Sequence, residues 1–371
     1  MGQSTEGTPP ARRGAASEAA DGGPPAAYAR TRTQFTATGS NAPLAADNLG
    51  GHLCVPTRDE LLSALQIVRA QIPPTPTIRW PLLEQRLGST VFVKHENHTA
   101  LGAFKLRGGA VYLHELLQRE PQTRGVICAT RGNHGQSIAR AAALHGLSAT
   151  IVVPHGNSVE KNAAMRALGA TLIEFGSDFQ QAREHAMSLA ADLGLHPVPS
   201  FHRDLVRGVA SGWIEFFEQA QPDLVLVPIG QGSGICACAA ARALTGAASR
   251  IVGVVSAHAT AYLDSFRAGR VVEAVVSTQL ADGLACRLPD EQALAIILRE
   301  VDDIVAVSDD EVAEAMCIYF SDTHNVAEGA GAAPLAAALQ RREAFAGRSL
   351  GLALSGGNVD RAIFARVLAQ A

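Results

Sequence analysis

The amino-acid sequence predicts an α/β fold in which parallel sheets are covered by helices on both faces. Three observations lead there. Short β-rich runs alternate with amphipathic helical stretches over most of the chain. Ala, Gly and Val are abundant while aromatic residues reach only 5%, a composition that lets helices and strands pack closely. Gly-rich turns follow several of the strand-like runs, and in open parallel sheets ligands sit at the carboxyl ends of strands.

With 371 residues the chain has room for about two domains and an ample core, which rules out a small stapled scaffold. Charged residues make up 18%, against a typical ~25%, and 31 Lys and Arg against 35 Asp and Glu leave a net charge of −4. Such a balance supplies no strong field to hold nucleic acid or an anionic membrane. Hydrophobic residues total 47%, yet runs such as residues 224–229 fall far short of the ~18–20 needed to span a bilayer. The six cysteines are scattered without the paired spacing of a zinc knuckle and read as buried free thiols. Arg12 and Arg13 are not followed by an apolar segment, so no secretory signal is expected and a reducing, cytoplasmic setting is.

Residues 1–54 are rich in Ala, Gly, Pro, Ser and Thr, with Leu44, Leu49 and Leu53 their only branched aliphatics. They bury too little apolar area to offset chain entropy and read as a disordered extension. A helix begins at Thr57, which can cap the first turn while Glu60 reaches back, and its apolar face is Leu61, Leu62, Leu65 and Val68. Pro73, Pro74 and Pro76 end it. Strands are expected at residues 90–94, 125–129, 150–153, 171–175, 224–228, 251–255, 304–307 and 350–354. Helices are expected at 105–119, 134–144, 178–193 and 309–320. No internal repeat or coiled-coil heptad occurs.

Four turns carry residue types suited to chemistry. In the first, Ala103-Phe104-Lys105-Leu106-Arg107-Gly108-Gly109, a lysine opens a helix where the macrodipole disfavours positive charge, which helps a neutral, imine-forming amine persist. Taken alone, it reads first as a surface lysine on an amphipathic helix. The second, Thr130-Arg131-Gly132-Asn133-His134-Gly135, joins a strand to a helix whose amino terminus favours a carboxylate, and Asn133 can donate to a ligand oxygen. An ordinary strand-to-helix connection is the alternative. In the third, Gly230, Gln231, Gly232, Ser233 and Gly234 let successive amides converge on a phosphate. It lacks the Lys and Ser or Thr of a nucleotide P-loop, and the third glycine falls one residue early for a dinucleotide turn, so a monophosphate fits better than either. In the fourth, Ser355 after the last strand offers a neutral hydroxyl to a ring nitrogen, or simply caps a helix. Together the turns supply an amine, a carboxylate site, a phosphate cup and a hydroxyl, the set that pyridoxal phosphate and an amino acid require.

Over about residues 56–371 the ordered motifs resemble the serine/threonine dehydratase family of fold-type II pyridoxal phosphate enzymes. Glu96 and Asn97 precede the lysine turn, and GNHGQ at 132–136, ADGLA at 281–285, EGAGAA at 328–333 and SGGN at 355–358 follow in the family order. The resemblance implies a tryptophan synthase β-like fold with two parallel or mixed sheets flanked by helices. It further implies a large cofactor domain at 55–120 and 202–371, and a small mobile domain at 121–201 that closes over substrate. By the same resemblance Lys105 is the Schiff-base lysine, Phe104 packs on the pyridine ring, Asn133 bonds its phenolic oxygen, and Gly230, Gln231, Gly232, Ser233 and Gly234 hold the phosphate. Ser355 would face the pyridine nitrogen, where a hydroxyl limits ring protonation and favours β-elimination. Thr130, Arg131, Gly132 and His134 would bind the substrate. The implied activity is an ammonia-lyase that converts L-threonine to 2-oxobutanoate and L-serine to pyruvate, with Lys105 as base. The family commonly forms dimers or tetramers, so a homo-oligomer acting on a small amino acid is implied, without nucleic-acid or membrane partners.

Departures from the family narrow these expectations. Arg131 stands where serine racemase carries its second acid/base serine, which argues against racemisation. A fixed cation there suits a second anionic group on the substrate, for example the β-carboxylate of 3-hydroxyaspartate, although pointing to solvent or pairing with a nearby acid are the simpler roles. Val255 and Ala261 occupy the positions of metal-binding Glu and Asp in metal-dependent members, so no metal site is expected there. The chain ends soon after Val359, so no regulatory amino-acid-binding domain and no feedback control are expected. A β-replacement enzyme would carry Thr in place of His134, and a non-catalytic binding protein would have lost Lys105.

Overall fold

The computed structural model describes residues 55–370, so the expected disordered extension at 1–54 and Cys54 lie outside the described residues. Ten strands follow in chain order: β1 (Thr77–Arg79), β2 (Val91–His95), β3 (Gly125–Ala129), β4 (Ser148–Val153), β5 (Thr171–Glu174), β6 (His196–Pro197), β7 (Leu224–Pro228), β8 (Arg250–Ser256), β9 (Asp303–Val307) and β10 (Leu350–Leu354). They form a six-stranded sheet in the order β1-β2-β10-β7-β8-β9 and a four-stranded sheet in the order β5-β4-β3-β6. Only β1 and β2 pair antiparallel; the remaining ladders of both sheets are parallel. The chain leaves the first sheet after β2, completes the second, and returns at β7.

Parallel strands buried on both faces read as continuous apolar runs, and β3 and β10 are buried at every position. Along β7 the side chains alternate between two cores. Val225 and Val227 pack in one core with Trp213, Phe216, Phe217 and Ile235. Leu224 and Leu226 pack in the other with Met316, Tyr319 and Leu335. The four free thiols Cys128, Cys236, Cys238 and Cys286 are buried as expected, and Cys317 is half-buried.

Helix Arg58–Arg69 carries the expected capping box between Thr57 and Glu60. Its buried stripe is Leu61, Ala64, Leu65 and Val68. Leu62 instead faces outward, because the three- and four-residue spacing from Leu61 selects Ala64 and Leu65. Strands β1 and β6 are not anticipated from the sequence. At three and two residues, beside Pro76 and including Pro197, they are too short to show any alternation.

Helix Lys105–Arg119 begins one residue after Phe104, as expected, and packs against helices Asn133–Leu144 and Arg203–Gln219. Its first turn is held by Arg107, fully buried at 0% exposure. The guanidinium donates to Glu96 Oε2 at 2.8 Å and to both carboxylate oxygens of Glu215 at 2.8 Å. Lys94 Nζ donates to Glu215 Oε2 at 2.9 Å, so two cations and two anions balance in the interior. Burial would raise the Glu96 carboxyl, but Arg107 and Lys94 outweigh it and hold it below its ordinary range. The quartet lies two residues beyond Lys105 and fixes where that lysine enters the site.

Candidate functional site

Strand ends β3, β7 and β10, together with the first turn of helix Lys105–Arg119, surround a cleft of about 880 Å³ that is partly open to solvent. Each residue singled out from the sequence lines it: Phe104, Lys105, Thr130, Arg131, Gly132, Asn133, His134, Gly230, Gln231, Gly232, Ser233, Gly234 and Ser355. The turns lie at carboxyl ends of parallel strands, where such folds bind ligands.

Lys105 Nζ donates to Ser233 Oγ at 2.9 Å, bringing the lysine turn and the Gly-rich turn together. It also sits 4.9 Å from the centroid of the Phe104 ring. Burial lowers its pKa, partly offset by the Glu328 carboxylate, to about 8. Ser355 is buried, and its carbonyl accepts from the Phe104 amide at 3.0 Å, which ties the end of β10 to the start of the lysine helix. Gly230 packs so closely that a Cβ there would run into the Gly283 carbonyl. Ser233 opens helix Ser233–Thr245, whose N-cap Gly232 supplies no side chain to cap the first amides, an arrangement suited to receive an anion.

In the second turn, Thr130 Oγ1 accepts from the amides of Gly132 at 2.9 Å and Gly135 at 3.2 Å, so this hydroxyl shapes its own loop. Asn133 Nδ2 donates to Glu328 Oε1 at 2.6 Å while its Oδ1 accepts from Asn358 Nδ2 at 2.8 Å. These two bonds fix the side chain and use its oxygen and one Nδ2 hydrogen, leaving the second Nδ2 hydrogen to donate to a ligand oxygen. His134 is buried with Nε2 unpartnered, and burial, with nearby Lys105 adding to it, holds its imidazole down at about 3. Arg131 is part-exposed and makes no ion pair among the described residues, so the expected pairing with a nearby acid is not formed; its buried Nε has no hydrogen-bond partner.

Sequence reasoning missed a charged network in the same cleft. Lys161, on helix Val159–Ala167, donates to Asp282 Oδ2 at 2.7 Å and lies 3.3 Å from Glu328 Oε2. Its ammonium is held above the ordinary range because these two carboxylates outweigh burial. Burial raises the Glu328 carboxyl against the pull of Lys161. A Cβ on Gly132 would run into the Lys161 stem, so this lysine also backs the 130–134 loop. Asp282 and Glu328 stand inside the ADGLA and EGAGAA strings, but no spacing in the sequence pairs them with a lysine 121 and 167 residues away. Phe179 and Ser200 complete the wall unannounced by any motif.

A doubly layered α/β chain with an amine of lowered pKa facing a Gly-rich helix start is the frame of a pyridoxal phosphate enzyme, and this chain belongs to that family. The family described as "Pyridoxal-phosphate dependent enzyme" matches residues 68–356. Among curated relatives, L-threo-3-hydroxyaspartate ammonia-lyase of Saccharomyces cerevisiae is 32% identical over 318 residues, spanning 85% of this chain and 97% of that one. L-threonine ammonia-lyase of Thermotoga maritima is 30% identical over 317 residues, spanning 84% and 78%. Among solved structures, the processed form of threonine deaminase isoform 2 from Solanum lycopersicum matches with a TM-score of 0.77 and 28% identity, over 86% of this chain and 96% of that one. Pyridoxal phosphate is the cofactor.

Proposed function

We propose that the protein is an ammonia-lyase that removes water and ammonia from a β-hydroxy amino acid, converting L-threonine to 2-oxobutanoate and L-serine to pyruvate. The observation that carries this reading is Lys105 Nζ in the cleft, lowered to about 8 and 2.9 Å from Ser233 of the Gly-rich turn. The names of its relatives, ammonia-lyases acting on threonine and on hydroxyaspartate, point the same way.

The donor set suits the cofactor. Lys105 would supply the amine that links it, and Phe104 would pack on its ring. Gly230, Gln231, Gly232, Ser233 and Gly234 would take the phosphate at the start of helix Ser233–Thr245. Asn133 would meet its phenolic oxygen and Ser355 its ring nitrogen. When bound, pyridoxal phosphate supplies an electron sink that acidifies the α-hydrogen of an amino acid.

The chain's own residues do the rest. The amides of Arg131, Asn133 and His134, which unlike those of Thr130 and Gly132 are not taken up by the loop and the sheet, receive the substrate carboxylate at the amino terminus of helix Asn133–Leu144. With a pKa near 8, about a tenth of Lys105 is neutral at pH 7, so its Nζ can accept the α-proton. The β-hydroxyl departs as water, and the enamino acid left behind is hydrolysed to the 2-oxo acid and ammonia. His134 stays neutral across this range and adds no charge.

Residues 121–201, carrying the substrate loop, form the part that closes over the substrate. Lys161 bonding to Asp282 supports that reading, as does Asp360 accepting from Ser158 Oγ and from the amides of Val159 and Glu160. The test is 2-oxo acid release by the holoenzyme from L-threonine, L-serine, D-serine and phenylserine. Release from L-threonine or L-serine is expected. D-serine made from L-serine without pyruvate would instead indicate a racemase.

A further inference from the structure

We propose that Arg131 is a subsite for a second anionic group, so that the cleft accepts β-hydroxy amino acids bearing a carboxylate on the β-carbon, the 3-hydroxyaspartate class. The inference rests on the ammonia-lyase reading and names a substrate class for the same site.

The charges of the cleft lead there. Three cations line it: Lys105, Arg131 and Lys161. Lys161 is matched by Asp282 and Glu328. Lys105 is engaged by Ser233 and feels the Glu328 carboxylate. Arg131 alone of the three has no carboxylate and no hydrogen-bond acceptor among the described residues, and its Nε is buried. A buried donor without an acceptor is costly, and an anionic ligand is what removes that cost.

No nearby acid is spare to take that role. Arg131 also lines the outer cleft that adjoins the cofactor end, where the acids are Asp178 and Glu273. Glu273 pairs with Arg287, and Asp178 accepts from the Gln181 amide and lies 3.9 Å from the same Arg287. Arg183 adds a further positive charge on that side.

Position completes the argument. Arg131 lies two residues before Asn133, where the helix that offers its amides to the α-carboxylate begins. One carboxylate meets the helix start, and a second, one carbon further along the substrate, meets the guanidinium. The reaction balances without an oxidant. The Cα–H and Cβ–O bonds break and one water leaves; one water returns as the C–N bond breaks, giving a 2-oxo dicarboxylate and ammonia.

The experiment compares holoenzyme with Arg131→Gln and Arg131→Lys, measuring kcat/KM on threo-3-hydroxyaspartate and on L-threonine. Calorimetry of succinate binding, an unreactive dicarboxylate, is run alongside. The hydroxyaspartate-to-threonine ratio is expected to fall about 30-fold in Arg131→Gln, with partial retention in Arg131→Lys. Succinate binding should weaken about as much. Equal losses on both substrates would overturn the proposal while leaving the lyase reading intact, because Arg131 would then serve the α-carboxylate. If neither substrate yields a 2-oxo acid, the lyase reading itself falls. Succinate binding then decides the subsite: weakened binding in Arg131→Gln upholds it, and unchanged binding overturns it.

Discussion

The lowered pKa of Lys105 sets how fast the protein captures its cofactor at a given pH. Only a neutral amine attacks an aldehyde, and burial brings Lys105 from 10.5 to about 8. At pH 7.5 about a quarter of such an amine is neutral, against about one part in a thousand for a solvent lysine, an advantage of roughly 200-fold. The neutral fraction rises with pH and levels off above the folded pKa. The capture rate should therefore climb through a midpoint near pH 8 and flatten well before pH 10. The assay mixes apoprotein with limiting pyridoxal phosphate at a series of pH values and follows the visible absorption of the imine. A Glu328→Gln variant adds a second arm, because that carboxylate raises the Lys105 pKa and its loss should move the midpoint lower. A midpoint at pH 10 or above, or an upward shift in Glu328→Gln, would refute the reasoning.

Other substitutions test the framework around the lysine. Arg107→Met leaves Glu96 and Glu215 buried with only Lys94 to balance them and should cost about 3–5 kcal/mol in urea unfolding of the apoprotein; a loss under about 1 kcal/mol would show that the quartet is not holding the lysine helix. Gly230→Ala places a Cβ against the Gly283 carbonyl, and overpacking of about 1–3 kcal/mol should weaken pyridoxal phosphate binding by about tenfold or more in an absorbance titration, whereas affinity within about twofold of wild type would contradict the packing.

Much of the scaffold was legible because it obeys local rules. Runs such as those at 125–129 and 224–228 are continuous and apolar, as strands buried on both faces must be, and β3 and β7 follow them residue for residue. The four turns could be read because glycine and capping residues mark strand ends whatever the tertiary context. Lys105, Asn133, Ser233 and Ser355 thus converge on one cleft although the sequence disperses them widely. What stayed hidden depends on distance through space. The pairing of Lys161 with Asp282 and Glu328, and the quartet around Arg107, join helices and strands that no periodicity links. Strands β1 and β6 stayed hidden for the opposite reason, being too short to carry a pattern. Leu62 was misplaced because leucine identity outweighed the stripe geometry that selects Ala64.

The most direct test is to incubate the holoenzyme with L-threonine and quantify ammonia and 2-oxobutanoate together, with Lys105→Ala as control. Equal amounts of the two products from the wild type, and neither from Lys105→Ala, are expected. Undiminished release by Lys105→Ala, or no release by a wild type that shows the imine absorption, would contradict the assignment of Lys105 as the reactive amine of an ammonia-lyase.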